Sequence, residues 1–135
     1  MTNRDYFPDQ VIWDGTMEYP SSFESMPAAK GFEAAPGVVL RPFFGQRMMA
    51  SYVTFAPGAE APIHQHLQEQ FSKIVSGRLL FTVGETTRWM ESGDIVSIPS
   101  NVPHKATAGD QGCVAIDMFS PIRDGFRELI AAQNP

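Results

Sequence analysis

The stretch that decides the fold is QFSKIVSGRLLFTVGETTRWMESGDIVSIP, residues 70–99. It contains four short segments rich in Val, Ile, Phe and Thr, which favour strands, and the glycines between them favour turns. The predicted strands are 70–76, 79–83, 87–90 and 94–99. Between the second and third of these, TVGETT predicts a hairpin turn.

The same pattern continues on both sides of this stretch. The further predicted strands are VVLRPFF (38–44), RMMASYVTF (47–55), HKATA (104–108) and CVAIDMF (113–119). Short strands separated by Gly and Pro are typical of an all-β sandwich or barrel, and eight is the number of strands in a jelly roll. We therefore expect one barrel over residues 37–120.

The two ends of the chain differ from this middle. Residues 1–36 have no sustained period and carry the isolated aromatics Tyr6, Phe7, Trp13, Tyr19, Phe23 and Phe32. Because exposed aromatic side chains are costly, we expect an arm that wraps the barrel or a partner subunit, and a disordered leader is the alternative. Within residues 121–135, the i, i+3, i+4 spacing of Phe126, Leu129 and Ile130 predicts a short amphipathic helix.

Composition limits the function classes. The chain has 135 residues, 43% of them hydrophobic, which suits one folded domain. No apolar run approaches the roughly 20 residues of a membrane-spanning helix, so we expect no membrane association. The charged residues within the first ten argue against a secretory signal and favour the cytoplasm.

Charge and cysteine content narrow the partners further. Ten Lys and Arg against fifteen Asp and Glu give a net charge of −5, and the basic residues are scattered, which argues against nucleic-acid binding. Cys113 is the one cysteine of the sequence, so there is neither an intramolecular disulfide nor a thiolate zinc site. Any metal must be bound by nitrogen and oxygen ligands.

All three histidines lie in two motifs. The first is GAEAPIHQHLQEQ (58–70) and the second is GDIVSIPSNVPH (93–104). Residues two apart on a strand share a face, so His64 and His66 can direct their imidazoles to one ion. The alternative is that the histidines are ordinary polar residues near turns.

Together the two motifs resemble those of the cupin superfamily, which are a glycine, five residues, HxH, three or four residues, an acid, six residues and a glycine, then a glycine, five residues and PxGxxH. The resemblance implies a cupin double-stranded β-helix, a jelly-roll barrel that binds one divalent metal through His64, His66, His104 and position 70. Position 70 is Gln where most cupins have Glu, and Asn101 replaces the second-motif glycine. Glu69 is the competing fourth ligand, but the count of residues to Gly77 favours Gln70. A metal-free pocket is a further alternative.

Gln70 has a chemical consequence. Three neutral imidazoles and a neutral amide leave the full double positive charge on the ion, so the site is expected to attract an anionic substrate and to act as a Lewis acid. Ni, Zn, Fe, Co and Mn all suit such ligands.

A narrower resemblance covers residues from about 37 to 126. HxHxxEQ, PxNVPH and DxFxPxRxDF are found in the small pectin-degradation cupins that open the ring of 4,5-unsaturated uronates, and this chain has HQHLQEQ, PSNVPH and DMFSPIRDGF. The resemblance implies that Asp117, Phe119 and Arg123 lie in the pocket and serve catalysis or substrate binding.

The same residues can be interpreted without the family. Alternation in CVAIDMF places Ala115, Asp117 and Phe119 on one face, which makes Asp117 a pocket carboxylate and a candidate general base. A structural ion pair between Asp117 and Arg123 is the alternative to a clamp by Arg123 on a substrate carboxylate. Phe119 is either a wall residue or a substrate contact, and Ser72, on the face of Gln70, is a candidate hydrogen-bond donor to substrate.

The leading hypothesis is a metal-dependent isomerase or lyase-type cupin that acts on a small anionic molecule, an unsaturated uronate in particular. Similar scaffolds occur in polyketide cyclases, sulfonio-propionate lyases and dioxygenases, and a non-catalytic ligand-binding cupin is the third alternative. Since cupins commonly pair through their sheets, the resemblance also implies a homodimer.

Overall fold

The computed structural model describes residues 3–16 and 23–135, and its regular elements begin after a short 3-10 turn at Met26–Ala28. The strands are β1 Phe32–Ala35, β2 Val38–Phe44, β3 Met49–Phe55, β4 Glu60–His64, β5 Glu69–Val83, β6 Thr86–Glu91, β7 Ile95–Ile98 and β8 His104–Ser120. The helix α1 covers Gly125–Gln133.

The strands pair antiparallel in the order β1-β2-β3-β8-β5-β6, with β4 also paired to β8 and β7 also paired to β5. The long strands β5 and β8 pair on either side of two register shifts, between Ile74 and Ser76 and between Gly77 and Leu79. Gly77 has a φ of 74°, and a side chain there would collide with the Gly112 carbonyl. The glycine therefore permits the local irregularity by which the sheet curls into a barrel.

The core lies inside this barrel because alternate residues of each strand point inward. In β3, for example, Met49, Val53 and Phe55 point inward and are buried, whereas the residues that point to the other face of the strand are half-buried. Asp117 on β8 lies opposite Ser51 of β3 and Ser72 of β5, so the inner face of three neighbouring strands also carries polar groups.

The helix α1 packs against β1 beside this interior. Phe126 is buried, and its ring centroid lies 5.0 Å from that of Phe32 in an edge-on contact. The Gln133 side chain accepts from the N–H of Glu33 at 2.7 Å and donates to its carbonyl at 3.1 Å. These contacts fix the helix that follows the loop carrying Arg123.

The structure confirms the all-β barrel, and the expected hairpin turn lies at residues 84–85 between β5 and β6. Two pairs of predicted strands are each one continuous strand. Strand β5 joins 70–76 and 79–83, and strand β8 joins 104–108 and 113–119, because register shifts and not turns separate their halves. The sequence pattern does not predict β4, whose residues are mostly exposed and include Pro62.

The terminal regions show one correction. Residues 32–35 belong to the sheet as β1, paired with β2, and are not part of an arm as the division at residue 36 implied. Tyr6, Phe7 and Phe23 are 77%, 59% and 100% exposed, so they are not buried against the barrel of their own chain. The expectation for Tyr19 lies outside the described residues. An arm that packs on a partner subunit stays a prediction.

The amphipathic C-terminal helix is confirmed as α1, with Phe126 buried and Ile130 packed against the core, whereas Leu129 is 43% exposed. None of the helices in the described ranges is long or apolar enough to cross a membrane.

Candidate functional site

The three histidines meet at one point of the barrel. Each offers one ring nitrogen, and these atoms of His64, His66 and His104 all lie within 4.8 Å of one another. The ring centroids are 4.2 Å apart for His64 and His104, and 4.9 Å apart for His66 and His104. Three imidazole nitrogens this close can bind one divalent ion together.

Two neighbouring strands and one loop position these histidines. His64 ends β4 and lies opposite His104, which begins β8. His66 lies in the loop after β4, so the expectation that a strand carries both histidines of the HxH pair is correct for His64 only. The Asn101 N–H donates to the His66 carbonyl at 2.8 Å and joins the two motif loops. With a φ of 62°, Asn101 has the left-handed geometry expected of it.

Backbone hydrogen bonds orient all three imidazoles in the same way. In each ring Nδ1 lies 2.7–2.9 Å from the carbonyl oxygen of a residue two positions away, namely Pro62 for His64, Gln68 for His66 and Val102 for His104. A carbonyl only accepts, so each Nδ1 donates a hydrogen and each neutral ring keeps its lone pair on Nε2.

Burial keeps two of these rings in the neutral form that a metal requires. The pKa of His104 is lowered to about 4, mainly by burial and in part by the positive charges of the neighbouring histidines and Arg123, while the hydrogen bond to Val102 opposes the shift. Burial also lowers the pKa of His66, with a contribution from the positive charge of Arg123. Both rings are therefore unprotonated at neutral pH, ready to act as ligands.

Two atoms of the cluster fit a bound cation. His104 Nε2 is buried and has no hydrogen-bond partner, which is costly unless something binds it. His66 Nε2 lies 3.0 Å from Gln70 Oε1, and because the hydrogen of this ring is on Nδ1, both facing atoms are acceptors. Two acceptors at this distance suit a shared cation better than a hydrogen bond to each other. The donor set therefore fits a divalent metal ion.

The structure separates the two candidates for a fourth ligand. Gln70 is 4% exposed on the inner face of β5, with its side-chain oxygen toward His66. Glu69 is exposed on the opposite face of the same strand. The side-chain alternation of a strand thus brings Gln70, and not Glu69, to the histidines.

A chain of hydrogen bonds leads from Gln70 to Asp117. Gln70 Nε2 donates to Ser72 Oγ at 2.8 Å, and Ser72 Oγ donates to Asp117 Oδ1 at 2.6 Å. Burial raises the pKa of Asp117 to about 6, although the bonds from Ser72 and Gln70 and the charge of Arg123 oppose the rise. The carboxyl therefore exchanges its proton near neutral pH. Ser72 is fully buried, and its hydroxyl hydrogen is donated to Asp117. The expected contact of Ser72 with substrate stays a prediction.

Arg123 lies in the loop between β8 and α1, over two aromatic rings. Its guanidinium carbon is 5.4 Å from the ring centroid of Phe119 and 4.5 Å from that of Phe126. Within the described ranges the ion pairs are Arg4 with Asp9 and Arg127 with Asp124, so the alternative of an ion pair between Asp117 and Arg123 is not supported. The charge of Arg123 nevertheless favours the ionised form of Asp117.

These groups border a cavity of about 350 Å³ inside the barrel. Its polar or charged lining includes His64, Gln70, His104, Asp117 and Arg123. The rest of its wall is largely apolar and includes Phe32, Phe55, Phe81, Phe119 and Phe126. Phe119 is 2% exposed and is thus a wall residue that borders the cavity; its contact with a substrate stays a prediction.

One polar residue of this interior is missed by the sequence argument. Ser51 is fully buried on β3 opposite Asp117, and its hydroxyl has no hydrogen-bond partner. The available signal is a serine at an inward position of a strand whose other inward residues are apolar. That signal alone does not distinguish a site residue from a small core residue.

Comparison with known proteins supports the motif resemblance. A family model described as a cupin domain matches residues 51–119. The chain is 30% identical over 80 residues to the pectin degradation protein KdgF of Dickeya dadantii (strain 3937), a match that covers 58% of this chain and 73% of that protein. The resemblance to pectin-degradation cupins is thereby confirmed.

A second relative is a protein named H2HPP isomerase from Bacillus subtilis, 41% identical over 73 residues. That match covers 53% of this chain and 30% of the relative, so the chain spans less than a third of that protein's length.

The fold is shared with a solved structure of KdgF from Halomonas sp. The TM-score is 0.73 at 28% identity, and the match covers 78% of this chain and 98% of that one. The motif pair and the curled antiparallel sheet agree with a family match that spans just over half of the sequence. The chain therefore belongs to the cupin family.

Proposed function

We propose that this protein is a metal-dependent enzyme that acts on a small anionic molecule, and that its reaction is the ring opening and isomerisation of a 4,5-unsaturated uronate. The observation that carries the proposal is a cavity whose wall brings two histidines and Gln70 together with Asp117 and Arg123. Similarity to proteins named as a pectin degradation protein and as an isomerase supports it.

The metal would be bound by His64, His66, His104 and the amide oxygen of Gln70. Ni, Zn, Fe, Co and Mn are all compatible with three imidazoles and one amide. A bound divalent ion supplies Lewis-acid chemistry, the polarisation of a substrate oxygen. Because these four ligands are neutral, the site would also attract a negatively charged substrate.

Asp117 would move the proton. A carboxyl with a pKa of about 6 is mostly ionised at pH 7, so it can accept a proton from substrate, and it can return that proton at another atom. Its place on the inner face of β8 holds it at the cavity, and the hydrogen bond from Ser72 fixes its orientation.

Arg123 would bind the substrate carboxylate. Its guanidinium lies over the faces of Phe119 and Phe126, an arrangement that leaves N–H donors in the guanidinium plane. Two parallel N–H donors match the two oxygens of a carboxylate. The carboxylate of the substrate would thus be held near Asp117.

The test follows loss of the conjugated alkene of a 4,5-unsaturated uronate with purified, metal-loaded protein. We expect turnover, and we expect Asp117→Asn to lose about 10²–10⁴-fold, the usual contribution of general acid–base catalysis. Asp110→Asn, on the exposed part of the same strand, is the matched control and should keep full activity. Absence of turnover by the unmodified protein would reject the uronate assignment.

The apolar wall of the cavity favours a second candidate, an isomerase for a carboxylate whose body is an apolar ring. Five phenylalanines border the cavity, and a sugar acid would place hydroxyl groups against them. Calorimetry with phenylacetate and glucuronate as matched probes separates the candidates. Tighter binding of glucuronate supports the uronate enzyme, and tighter binding of phenylacetate supports the second candidate.

We further propose that the chain consists of an N-terminal arm, the barrel and a C-terminal helix, and that two copies form a homodimer with the arm in contact with the partner. The exposure of Tyr6, Phe7 and Phe23 supports this, since exposed aromatics gain from burial. The cytoplasmic location expected from the sequence stays a prediction.

A further inference from the structure

Three polar side chains form a row on the inner face of two paired strands. Gln70 and Ser72 are consecutive inward residues of β5, and Asp117 lies opposite Ser72 on β8. Gln70 is 4% exposed and Ser72 is fully buried, so neither can exchange its partner for bulk water. The bond from Gln70 to Ser72 and the bond from Ser72 to Asp117 lie within the row, and the amide oxygen of Gln70 faces His66.

Counting hydrogens fixes the direction of these bonds. An ionised carboxylate only accepts, so the one hydrogen of Ser72 goes to Asp117 Oδ1, 2.6 Å away. Ser72 Oγ can then only accept from Gln70, 2.8 Å away, and the end of the amide facing it must be Nε2. A reversed amide would place two oxygens at that distance with no hydrogen between them.

The other end of the amide is thereby fixed as well. Gln70 Oε1 faces His66 Nε2 at 3.0 Å, where an amide oxygen can bind a cation. The amide nitrogen could not replace it, because its hydrogens and delocalised lone pair make it a donor and not a ligand.

We propose that Ser72 is a positioning residue that presents the oxygen of Gln70, and not its NH2 group, to the three histidines. The inference rests on the metal site of the proposed function, and it gives Ser72 a role in that site that needs no contact between Ser72 and the metal. Ser72 acts by donating its hydrogen to the carboxylate of Asp117, which only accepts. Its oxygen can then accept only from the NH2 end of the Gln70 amide, so the oxygen end of that amide faces the histidines.

A carboxylate at position 70 would not need this orientation. The two oxygens of a glutamate are equivalent, so either end could face the histidines. The effect of losing Ser72 should consequently depend on whether residue 70 is Gln or Glu, which a purely structural role of Ser72 would not predict.

The experiment titrates metal-free protein with Co²⁺ and follows binding by visible absorption. Ser72→Ala should weaken Co²⁺ binding about 10–100-fold, the usual loss when a group that orients a metal ligand is removed. Ser76→Ala, an exposed serine on the same strand, should bind Co²⁺ like the unmodified protein. Thermal melting of each variant without metal establishes that it is folded.

The same titration of Gln70→Glu and Gln70→Glu/Ser72→Ala completes a double-mutant cycle. These two should differ by no more than about 2-fold, because either oxygen of the introduced glutamate can face the histidines, so the effects of the changes at positions 70 and 72 should be strongly non-additive. An equal loss from Ser72→Ala in both backgrounds, or no loss with Gln70 present, would overturn the positioning role. If the unmodified protein does not bind Co²⁺, both the metal site and this role are rejected. If Co²⁺ binding depends on Ser72 but no uronate is turned over, the positioning role stands and the uronate assignment fails.

Discussion

Replacing Asp117 with asparagine should stabilise the metal-free protein at high pH while removing its activity. The folded structure raises the pKa of Asp117 from an ordinary value of 3.8 to about 6, mainly by burial. A group whose pKa is raised on folding contributes stability below its unfolded pKa and loses that contribution as the pH rises through the folded pKa. Ionised Asp117 therefore lowers the free energy of unfolding above about pH 6.

The magnitude follows from the two pKa values. Each pKa unit corresponds to about 1.4 kcal/mol, so full ionisation costs at most ~3 kcal/mol. Because Asp117 is only half-buried and keeps some surface toward the cavity, solvent screening lowers the expected cost to about 1–2 kcal/mol. An asparagine carries no charge at any pH, and its side-chain oxygen can still accept from Ser72. The variant should thus gain most of this free energy at pH 8 and little of it near pH 4.

Urea unfolding of metal-free protein at pH 4.5 and pH 8 measures the effect. At each pH the free energy of unfolding of Asp117→Asn is compared with that of the unmodified protein. Any effect of the amide that does not depend on pH cancels when the two differences are subtracted. Asp110→Asn, which removes an exposed carboxylate from the same strand, should show a difference from the unmodified protein that is small at both pH values. If the difference between Asp117→Asn and the unmodified protein is the same at pH 4.5 and pH 8, the carboxyl is not perturbed by burial and the reasoning fails.

Two further predictions concern the anion clamp and the arm. Arg123→Lys should raise the KM for an anionic substrate about 10–100-fold with a smaller change in kcat, because an ammonium lacks the paired N–H donors of a guanidinium. The control Arg127→Lys, at an exposed ion pair, should leave the KM unchanged. An unchanged KM in Arg123→Lys would show that Arg123 does not bind the substrate carboxylate. Removing residues 1–24 should lower the particle mass in light scattering or the melting temperature, because the exposed aromatics of the arm need a partner, and an unchanged mass and melting temperature would show that the arm has no such role.

The parts of the fold that local pattern determines could be predicted from the sequence. Alternation along 113–119 placed Asp117 and Phe119 on the inner face, and the count of residues to Gly77 favoured Gln70 over Glu69. The hairpin at 84–85 needed only its glycine and the two flanking segments rich in strand-favouring residues. Each of these features depends on neighbours within a few residues.

Features that depend on distant contacts could not be predicted. The residues of strand β4 are mostly exposed and include Pro62, so its sequence has no pattern typical of a strand. The strand forms because it pairs with β8. The burial of Ser51 opposite Asp117 and the stacking of Arg123 on Phe126 arise where separate elements pack together. The direction of the hydrogen bonds in the row from Gln70 to Asp117 also required knowledge of which groups are enclosed.

The central claim is that three histidines and Gln70 bind one divalent ion. The most direct test is elemental analysis of the unmodified protein, His66→Ala and the control Gln65→Ala after loading with Co²⁺ and removal of free ion. The unmodified protein and Gln65→Ala should each retain about one ion per chain, since residue 65 is exposed between the two motif histidines, and His66→Ala should retain little. A His66→Ala protein with the same metal content as the unmodified chain would contradict the proposed site.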